Sequence, residues 1–177
     1  MDVLKPLKQA KKKGATIGCL VNVPYSSVQR LSDISINILA GPEVAVASTK
    51  AFTNMNITLL KLAQALGYDI DLDSVPDKLS KTLDLRPRCK KAAKELYDKK
   101  DIYILGRHFT YPIAREIALK FKEVDYIHAE GMMAGELKHG TLALIEEGVP
   151  VFSLIYDNNP ELLSNTQEVK ARGAKVY

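Results

Sequence analysis

The chain is poor in several residue types, and each scarcity excludes a class of protein. Tryptophan is absent, and no aromatic signature of RNA-binding sheets is found. The two cysteines, Cys19 and Cys89, provide no disulfide framework and no metal site, which is typical of a reduced compartment. No apolar run is long enough to span a bilayer, and the chain does not open with a secretory signal pattern. We therefore expect a cytoplasmic protein that binds no membrane.

The sequence also shows no pattern that would hold a cofactor. Metal-ligand spacings, a nucleophile elbow and a glycine-rich phosphate fingerprint are all missing. The net charge of +4 is only mildly basic, and much of the excess is the cluster "KQAKKKG" at 8–14. Lysines that close a helix complement its dipole, so the cluster is interpreted as a solvated helix end. We expect no metal, no other cofactor and no nucleic-acid partner.

Segments with strand character alternate with segments of helical period along the chain. The strand-like segments are apolar throughout, which predicts parallel sheets covered by helices on both faces. The fold class expected is therefore α/β, with a flavodoxin-like arrangement of three layers, helix–sheet–helix. Strands are predicted at 15–23, 34–39, 101–107, 149–156 and 175–177, and helices at 3–13, 48–66, 111–124 and 160–172.

Two such α/β subdomains are predicted, residues 1–75 and residues 76–177, with linker helices over 76–98. The first begins in a helix without a preceding strand, and the second ends in a very short strand. Because ligands of open α/β sheets bind at the carboxyl ends of strands, a missing first strand would remove part of a site. We expect both subdomains to be truncated, one at each end of the chain.

The first candidate site is the segment "GPEVAVASTKAFT" at 41–53. Ser48 and Thr49 stand where the long helix is predicted to begin. Hydroxyls and free backbone N–H groups at a helix N-terminus suit a phosphate or a polyol. The same residues are also ordinary helix caps, and the segment alone favours capping.

The second candidate is the predicted helix 111–124. Its apolar stripe is bordered by a charged row, Glu116, Lys120 and Glu123, at spacings of four and three residues. Such a row is either a ladder of ion pairs on a helix surface or a set of acid and base groups that lines a cleft. On an isolated helix the ladder is the more common arrangement.

The third candidate is "AEGMMAGELKHGTLALI" at 129–145, where Glu136, Lys138 and His139 lie among small and apolar residues. The glycines argue against one regular helix, so a turned or flexible loop is predicted. His139 is the natural group for moving protons near neutral pH, although a histidine in such a place is often structural.

Taken together, the three candidates resemble one enzyme family. "VASTKAFT", "LGRHFTYPIAREIALKFKE" and "GELKHG" are similar to the isomerase part of the glutamine–fructose-6-phosphate aminotransferases, also called glucosamine-6-phosphate synthases. That part consists of two SIS (sugar isomerase) subdomains, and the resemblance covers nearly the whole chain. It implies aldose–ketose chemistry on fructose 6-phosphate, with glutamine-derived ammonia as co-substrate and glucosamine 6-phosphate as product.

The resemblance also assigns roles to individual residues. It implies that Glu123 transfers a proton between C1 and C2, that Lys120 is a catalytic lysine, and that His139 opens the sugar ring of the neighbouring subunit in a homodimer. In the "VAS" turn it implies that Val46 and Ser48 contact the sugar, and we group Ala47 and Thr49 with them. Glu136 and Lys138 are expected to hold the loop.

The chain departs from the family in several places. A phosphate-binding loop before Asp2, a Schiff-base lysine after Tyr177 and the glutaminase domain are not in this sequence, and Thr141 replaces a common proline. We therefore expect the 177-residue chain alone not to form glucosamine 6-phosphate. Two alternatives stay open: a stand-alone SIS sugar-phosphate isomerase or amino-sugar-phosphate deaminase, and a non-catalytic SIS sensor of sugar phosphates.

Overall fold

The computed structural model describes residues 2–177, which form two compact units. The first unit ends at Ser80, and the second runs from Lys81 to Tyr177. The sequence predicts a subdomain boundary after residue 75, and that boundary stays a prediction.

The first unit alternates helices and short strands. A two-stranded parallel sheet pairs Gly18 with Ile34 and Val21 with Asn37. Its elements are α1 (Leu4–Lys12), β1 (Gly18–Val21), α2 (Ser27–Leu31), β2 (Ile34–Asn37), α3 (Lys50–Ala65) and α4 (Val75–Thr82), the last of which continues past the unit boundary.

The strands of the first unit are shorter and more exposed than predicted. All four residues of β2 are exposed, so the expectation of a strand buried on both faces is wrong here. The strand ends before Leu39, whose φ of 55° lies in the left-handed region. The buried apolar residues of this unit are few: Ile17, Val21, Ile38, Ala47 and Ala51.

The second unit carries a larger sheet. It begins with a 3₁₀ turn, Leu83–Leu85, and its remaining elements follow in chain order. These are α5 (Arg86–Leu96), β3 (Asp101–Gly106), α6 (Thr110–Lys120), a π-helical turn (Phe121–Asp125), β4 (His128–Met133), two 3₁₀ segments (Ala134–His139 and Thr141–Leu144), β5 (Pro150–Ser153), α7 (Pro160–Ala171) and β6 (Lys175–Val176).

The four strands of this unit are parallel and follow the order β4–β3–β5–β6. Numbered within the unit, the order is 2-1-3-4, as in the first four strands of flavodoxin-like sheets. The prediction of an α/β fold with parallel sheets flanked by helices is confirmed. The order in which successive strands are added reverses between β3 and β5, and ligands bind at this point in many such folds.

Two apolar clusters cover the two faces of this sheet. Because successive strand residues point to opposite faces, Ile102 and Ile104 join one cluster while Tyr103 and Leu105 join the other. The first cluster packs against α5 and α6, and the second packs against α7 and the 3₁₀ segment that contains Leu137. The second unit is therefore a three-layer sandwich with its core on both faces.

Strand β4 (His128–Met133) overlaps the segment 129–145 for which a loop was predicted, so that prediction is wrong for residues 129–133. The segment pairs with β3 along its whole length, from Asp101 opposite His128 to Gly106 opposite Met133. Its glycine, Gly131, serves close packing rather than flexibility. A Cβ there would overlap the backbone carbonyl of Ala114 in α6.

A second glycine brings α6 equally close to β3. A Cβ on Gly106 would lie 2.5 Å from the carbonyl oxygen of Thr110. The two glycines therefore let the helix axis approach the sheet more closely than any other residue would allow. Among the described residues, no helix is long and apolar enough to cross a membrane.

We predict that Gly131→Ala destabilises the protein by about 2–3 kcal/mol, because the added methyl group pushes α6 away from a well-packed sheet. The matched control is Gly135→Ala. A Cβ at Gly135 meets only the Arg107 guanidinium at 3.9 Å, an ordinary contact. Chemical denaturation of both variants measures the difference, and equal stabilities would contradict the close-packing role of Gly131.

Candidate functional site

A row of three charged side chains lies on α6 and the turn that follows it. The ammonium of Lys120 lies 3.3 Å from Glu116 Oε1 and 2.7 Å from Glu123 Oε2. Each of the three side chains is about one quarter exposed, with values of 24%, 25% and 26% in chain order. The structure thus confirms the ion-pair ladder, and the assignment of the row as acid and base groups that line a cleft stays a prediction.

The position of Glu123 depends on the turn in which it lies. The α-helix ends at Lys120 rather than at 124, and Phe121–Asp125 forms one π-helical turn. Tyr126 then adopts the left-handed conformation, with φ of 56°, and the chain enters β4. Single π-helical turns are frequent at functional sites because they displace side chains from the regular helical positions.

Hydrogen bonding raises the pKa of Lys120 above its usual value of 10.5. The largest cause is the bond to Glu123, the bond to Glu116 adds to it, and desolvation opposes both. Lys120 is therefore an ammonium near neutral pH and acts as a donor and a positive charge, not as a base. Its ammonium engages Oε2 of Glu123, which leaves Oε1 of that carboxylate unused by the lysine.

His139 lies on the other side of the sheet from this row. It ends the 3₁₀ segment Ala134–His139, in which Leu137 is buried in the cluster on the α7 face. Phe121, at the start of the π-helical turn, packs against the opposite cluster. The sheet therefore separates His139 from Glu123 within one chain, and the structure does not bring these two predicted residues together.

The segment around His139 is ordered by its neighbours rather than loose. Lys138 forms an ion pair of 2.9 Å with Glu168 of α7. The contact supports the expectation that Lys138 holds the segment, and the imidazole of His139 remains exposed.

The turn predicted to contact a sugar lies in the first unit, just before α3. Val46 is 90% exposed, Ala47 is buried, and Ser48 is half-buried. Thr49 is the residue before the helix, but its side chain makes no capping hydrogen bond. The prediction that Thr49 caps α3 through its hydroxyl is therefore wrong.

A carboxylate from outside the helix performs the capping instead. Glu43 Oε1 accepts hydrogen bonds from the backbone N–H of Thr49 at 2.9 Å and of Ala51 at 3.2 Å. Glu43 Oε2 accepts from the Ser48 hydroxyl at 2.9 Å. The bond from Thr49 is the main reason that the pKa of Glu43 lies below its usual value of 4.5.

Sequence reasoning gave no role to Glu43, and it placed Glu116 in the charged row without a function. The signal for Glu43 was an acidic residue shortly before a helix start, where a negative charge complements the helix dipole. Among residues 2–177, no group of three or more histidine, cysteine or acidic side chains is arranged to hold a metal ion. That the protein uses no cofactor stays a prediction.

The sequence matches one protein family over most of its length. The profile of the SIS domain matches residues 1–65 and 95–177. The chain belongs to the SIS domain family. This membership agrees with the parallel sheets and with the family resemblance inferred from the three motifs.

Relatives of this SIS chain carry one recurring name. The glutamine–fructose-6-phosphate aminotransferase [isomerizing] of Caldanaerobacter subterraneus is 42% identical over 190 residues, 99% of this chain and 31% of the relative. That of Symbiobacterium thermophilum is 43% identical over 192 residues, with the same coverage of 99% and 31%. The resemblance to this enzyme family is thereby confirmed.

A solved structure agrees with both the fold and the sequence of the SIS chain. It is the C-terminal domain of glucosamine-fructose-6-phosphate aminotransferase from Francisella tularensis, with a TM-score of 0.83 and 38% identity. The match covers 99% of this chain and 54% of that domain. The SIS chain spans only 31% of the length of the two curated relatives described above.

We predict that Glu123→Gln lowers the pKa of Lys120 more than Glu116→Gln does, since the bond from Glu123 is the shorter one and the larger cause of the shift. A folded pKa above the unfolded value means that Lys120 contributes stability below pH 10.5, which is lost as the pH rises through the folded pKa. Nitrogen-detected NMR of the lysine side chains measures both variants. Equal titration of Lys120 in the two variants would refute the assignment.

Proposed function

We propose that this chain is an isomerase part of a glucosamine-6-phosphate synthase. The whole enzyme would convert fructose 6-phosphate and glutamine-derived ammonia into glucosamine 6-phosphate, with the ammonia supplied by a glutaminase domain outside this sequence. The observation that carries the proposal is the row Glu116–Lys120–Glu123, in which one ammonium pairs with two carboxylates and all three side chains are partly buried. The relatives that share the whole length of the chain bear this enzyme's name.

Glu123 is the proposed proton-transfer group. Interconversion of ketose and aldose requires a base that removes a proton from one carbon and returns it to the neighbouring carbon. A carboxylate with one oxygen bound to Lys120 is held in place while the other oxygen remains able to accept the proton. The Lys120 ammonium supplies positive charge where the enolate oxygen develops negative charge.

The Val46–Thr49 turn is the proposed sugar-contacting element of the first unit. The exposure of Val46 and the half-burial of Ser48 leave backbone groups and a hydroxyl accessible at this turn. A polyol suits such a surface because each of its hydroxyls can donate and accept.

We further propose a homodimer in which His139 acts in the partner's site. Leu137, near His139, packs on the α7 face of the sheet, whereas Phe121, near Glu123, packs on the opposite face, which supports a role for His139 in a second copy. The exposed His139, held by the Lys138–Glu168 ion pair, is suited to enter a second copy. A twofold axis would place two such residues reciprocally.

Two other functions remain as outcomes of the tests. A stand-alone SIS isomerase or deaminase would keep the proton-transfer row but would not incorporate ammonia from glutamine. A sugar-phosphate sensor would bind without turnover and would have no use for the row. The protein expressed from its complete reading frame, assayed with glutamine and fructose 6-phosphate, separates the three.

We predict that Glu123→Gln in that protein lowers kcat by about 10²–10⁴-fold, the usual contribution of one general acid–base group. KM should change little, because glutamine keeps the shape of the side chain and removes only the base. Asp125→Asn, an exposed carboxylate of the same π-helical turn, is the matched control and should retain activity. Near-normal turnover by Glu123→Gln would contradict the assignment of Glu123 as the proton-transfer base.

A subunit-exchange experiment tests the role of His139. His139→Ala and Glu123→Ala should each be nearly inactive, yet a mixture allowed to exchange subunits should recover up to about one quarter of wild-type activity. The recovery is expected because each mixed dimer contains one site with both residues intact. No recovery after exchange has been verified would place His139 outside the partner's site.

A further inference from the structure

The carboxylate of Glu43 occupies the N-terminus of α3 and organises the turn that precedes it. One side chain accepts two backbone N–H groups and one hydroxyl, those of Thr49, Ala51 and Ser48. The bonds span up to eight residues of chain, so they close the whole loop that contains Val46 and Ala47. Val44 and Val46 are almost fully exposed within that loop, so their own packing does not fix it.

The bond from Ser48 determines which hydrogen-bonding role that hydroxyl can still play. A serine hydroxyl has one hydrogen and two lone pairs. An ionised carboxylate only accepts, so the hydrogen of Ser48 is committed to Glu43 at 2.9 Å. The lone pairs of Ser48 are what remains for a ligand, and they accept a hydrogen bond from a donor.

The same carboxylate decides what charge the helix start can hold. The N–H groups of Thr49 and Ala51, which would otherwise attract an anion, already bond to Glu43. A phosphate placed there would meet a carboxylate, and two negative charges at close range repel each other. The start of α3 is therefore unsuited to the phosphate of a sugar phosphate.

We propose that Glu43 is a positioning residue that makes this turn recognise sugar hydroxyls and not phosphate. It acts through Ser48, whose lone pairs accept from a hydroxyl of the sugar part of the substrate, and it excludes the phosphate group from the helix start. The inference rests on the proposed function only in taking the Val46–Thr49 turn as a sugar contact.

The test measures binding by calorimetry with the protein expressed from its complete reading frame, using fructose 6-phosphate and inorganic phosphate as two separate probes. Glu43→Gln keeps the shape but places an amide donor opposite Ser48, which can reverse the direction of that bond. We expect the Kd for fructose 6-phosphate to rise about fivefold, the scale of one hydrogen bond. The Kd for inorganic phosphate should fall, because the negative charge that repels phosphate from the helix start has been removed.

The matched control is Asp71→Asn in the same unit. Asp71 also accepts from a serine hydroxyl and a backbone N–H, both of Ser74, ahead of helix α4. The Asp71→Asn substitution alters a comparable capping arrangement that is distant in sequence from the Val46–Thr49 turn. The Kd for fructose 6-phosphate should not change in this variant.

A double-mutant cycle separates positioning from general support of the fold. If Glu43 acts through Ser48, Glu43→Gln should have no further effect on binding in a Ser48→Ala background. A merely structural Glu43 would weaken binding by the same factor in both backgrounds. Ser48→Ala alone leaves both backbone bonds to Glu43 intact and gives a second measurement should Glu43→Gln fail to fold: it should weaken fructose 6-phosphate binding only.

Three results would overturn the inference: an unchanged Kd for fructose 6-phosphate in Glu43→Gln or in Ser48→Ala, an equal effect in both backgrounds, or unchanged binding of inorganic phosphate once the carboxylate is neutralised. Absence of measurable fructose 6-phosphate binding in the wild type would also overturn it. Turnover is recorded in parallel. Wild-type binding without turnover would contradict the proposed function and leave this inference to be judged by the Kd values.

Discussion

The close approach of α6 to the sheet of the second unit is the constraint on which the proposed chemistry depends. Gly106 and Gly131 allow the helix backbone to lie directly on β3 and β4. Ala114 and Ala118 continue the same small-residue surface on the helix. This tight packing fixes the distance between α6 and the sheet. The charged row lies along the border of the packed face of α6, so its distance from the sheet is fixed as well. The acid and base groups are therefore placed by packing contacts that none of them makes.

Carboxylates perform two different tasks in the two units. In the second unit, Glu116 and Glu123 both pair with the ammonium of Lys120. Their negative charges are thus partly balanced by one positive charge, and all three side chains remain partly exposed. In the first unit, Glu43 is balanced by backbone N–H groups and one hydroxyl, with no cation among its hydrogen-bond donors. The first arrangement leaves one oxygen of the Glu123 carboxylate unused by the lysine, and the second fixes the shape of the backbone before α3.

The parts of the fold that follow from local periodicity could be predicted from the sequence. The long helix before Gly67 and the helix of the charged row were found within a few residues, because apolar spacing and stop residues are local signals. Strand β4 was missed because Gly131 suggests flexibility unless its partner Ala114 is known. Glu43 was missed for the same reason. Its role arises from a loop closure over several residues, and no periodic pattern encodes such a contact.

The unequal cores of the two units have a thermodynamic consequence. The first unit buries few apolar residues, whereas the second buries an apolar cluster on each face of a four-stranded sheet. Local opening is easiest where the least apolar surface is buried. A ligand that binds the turn before α3 therefore stabilises the unit whose free energy of local opening is the lower of the two. If that ligand is the proposed sugar, its binding would make the opening equilibria of the two units more alike, because it stabilises the unit that buries less apolar surface.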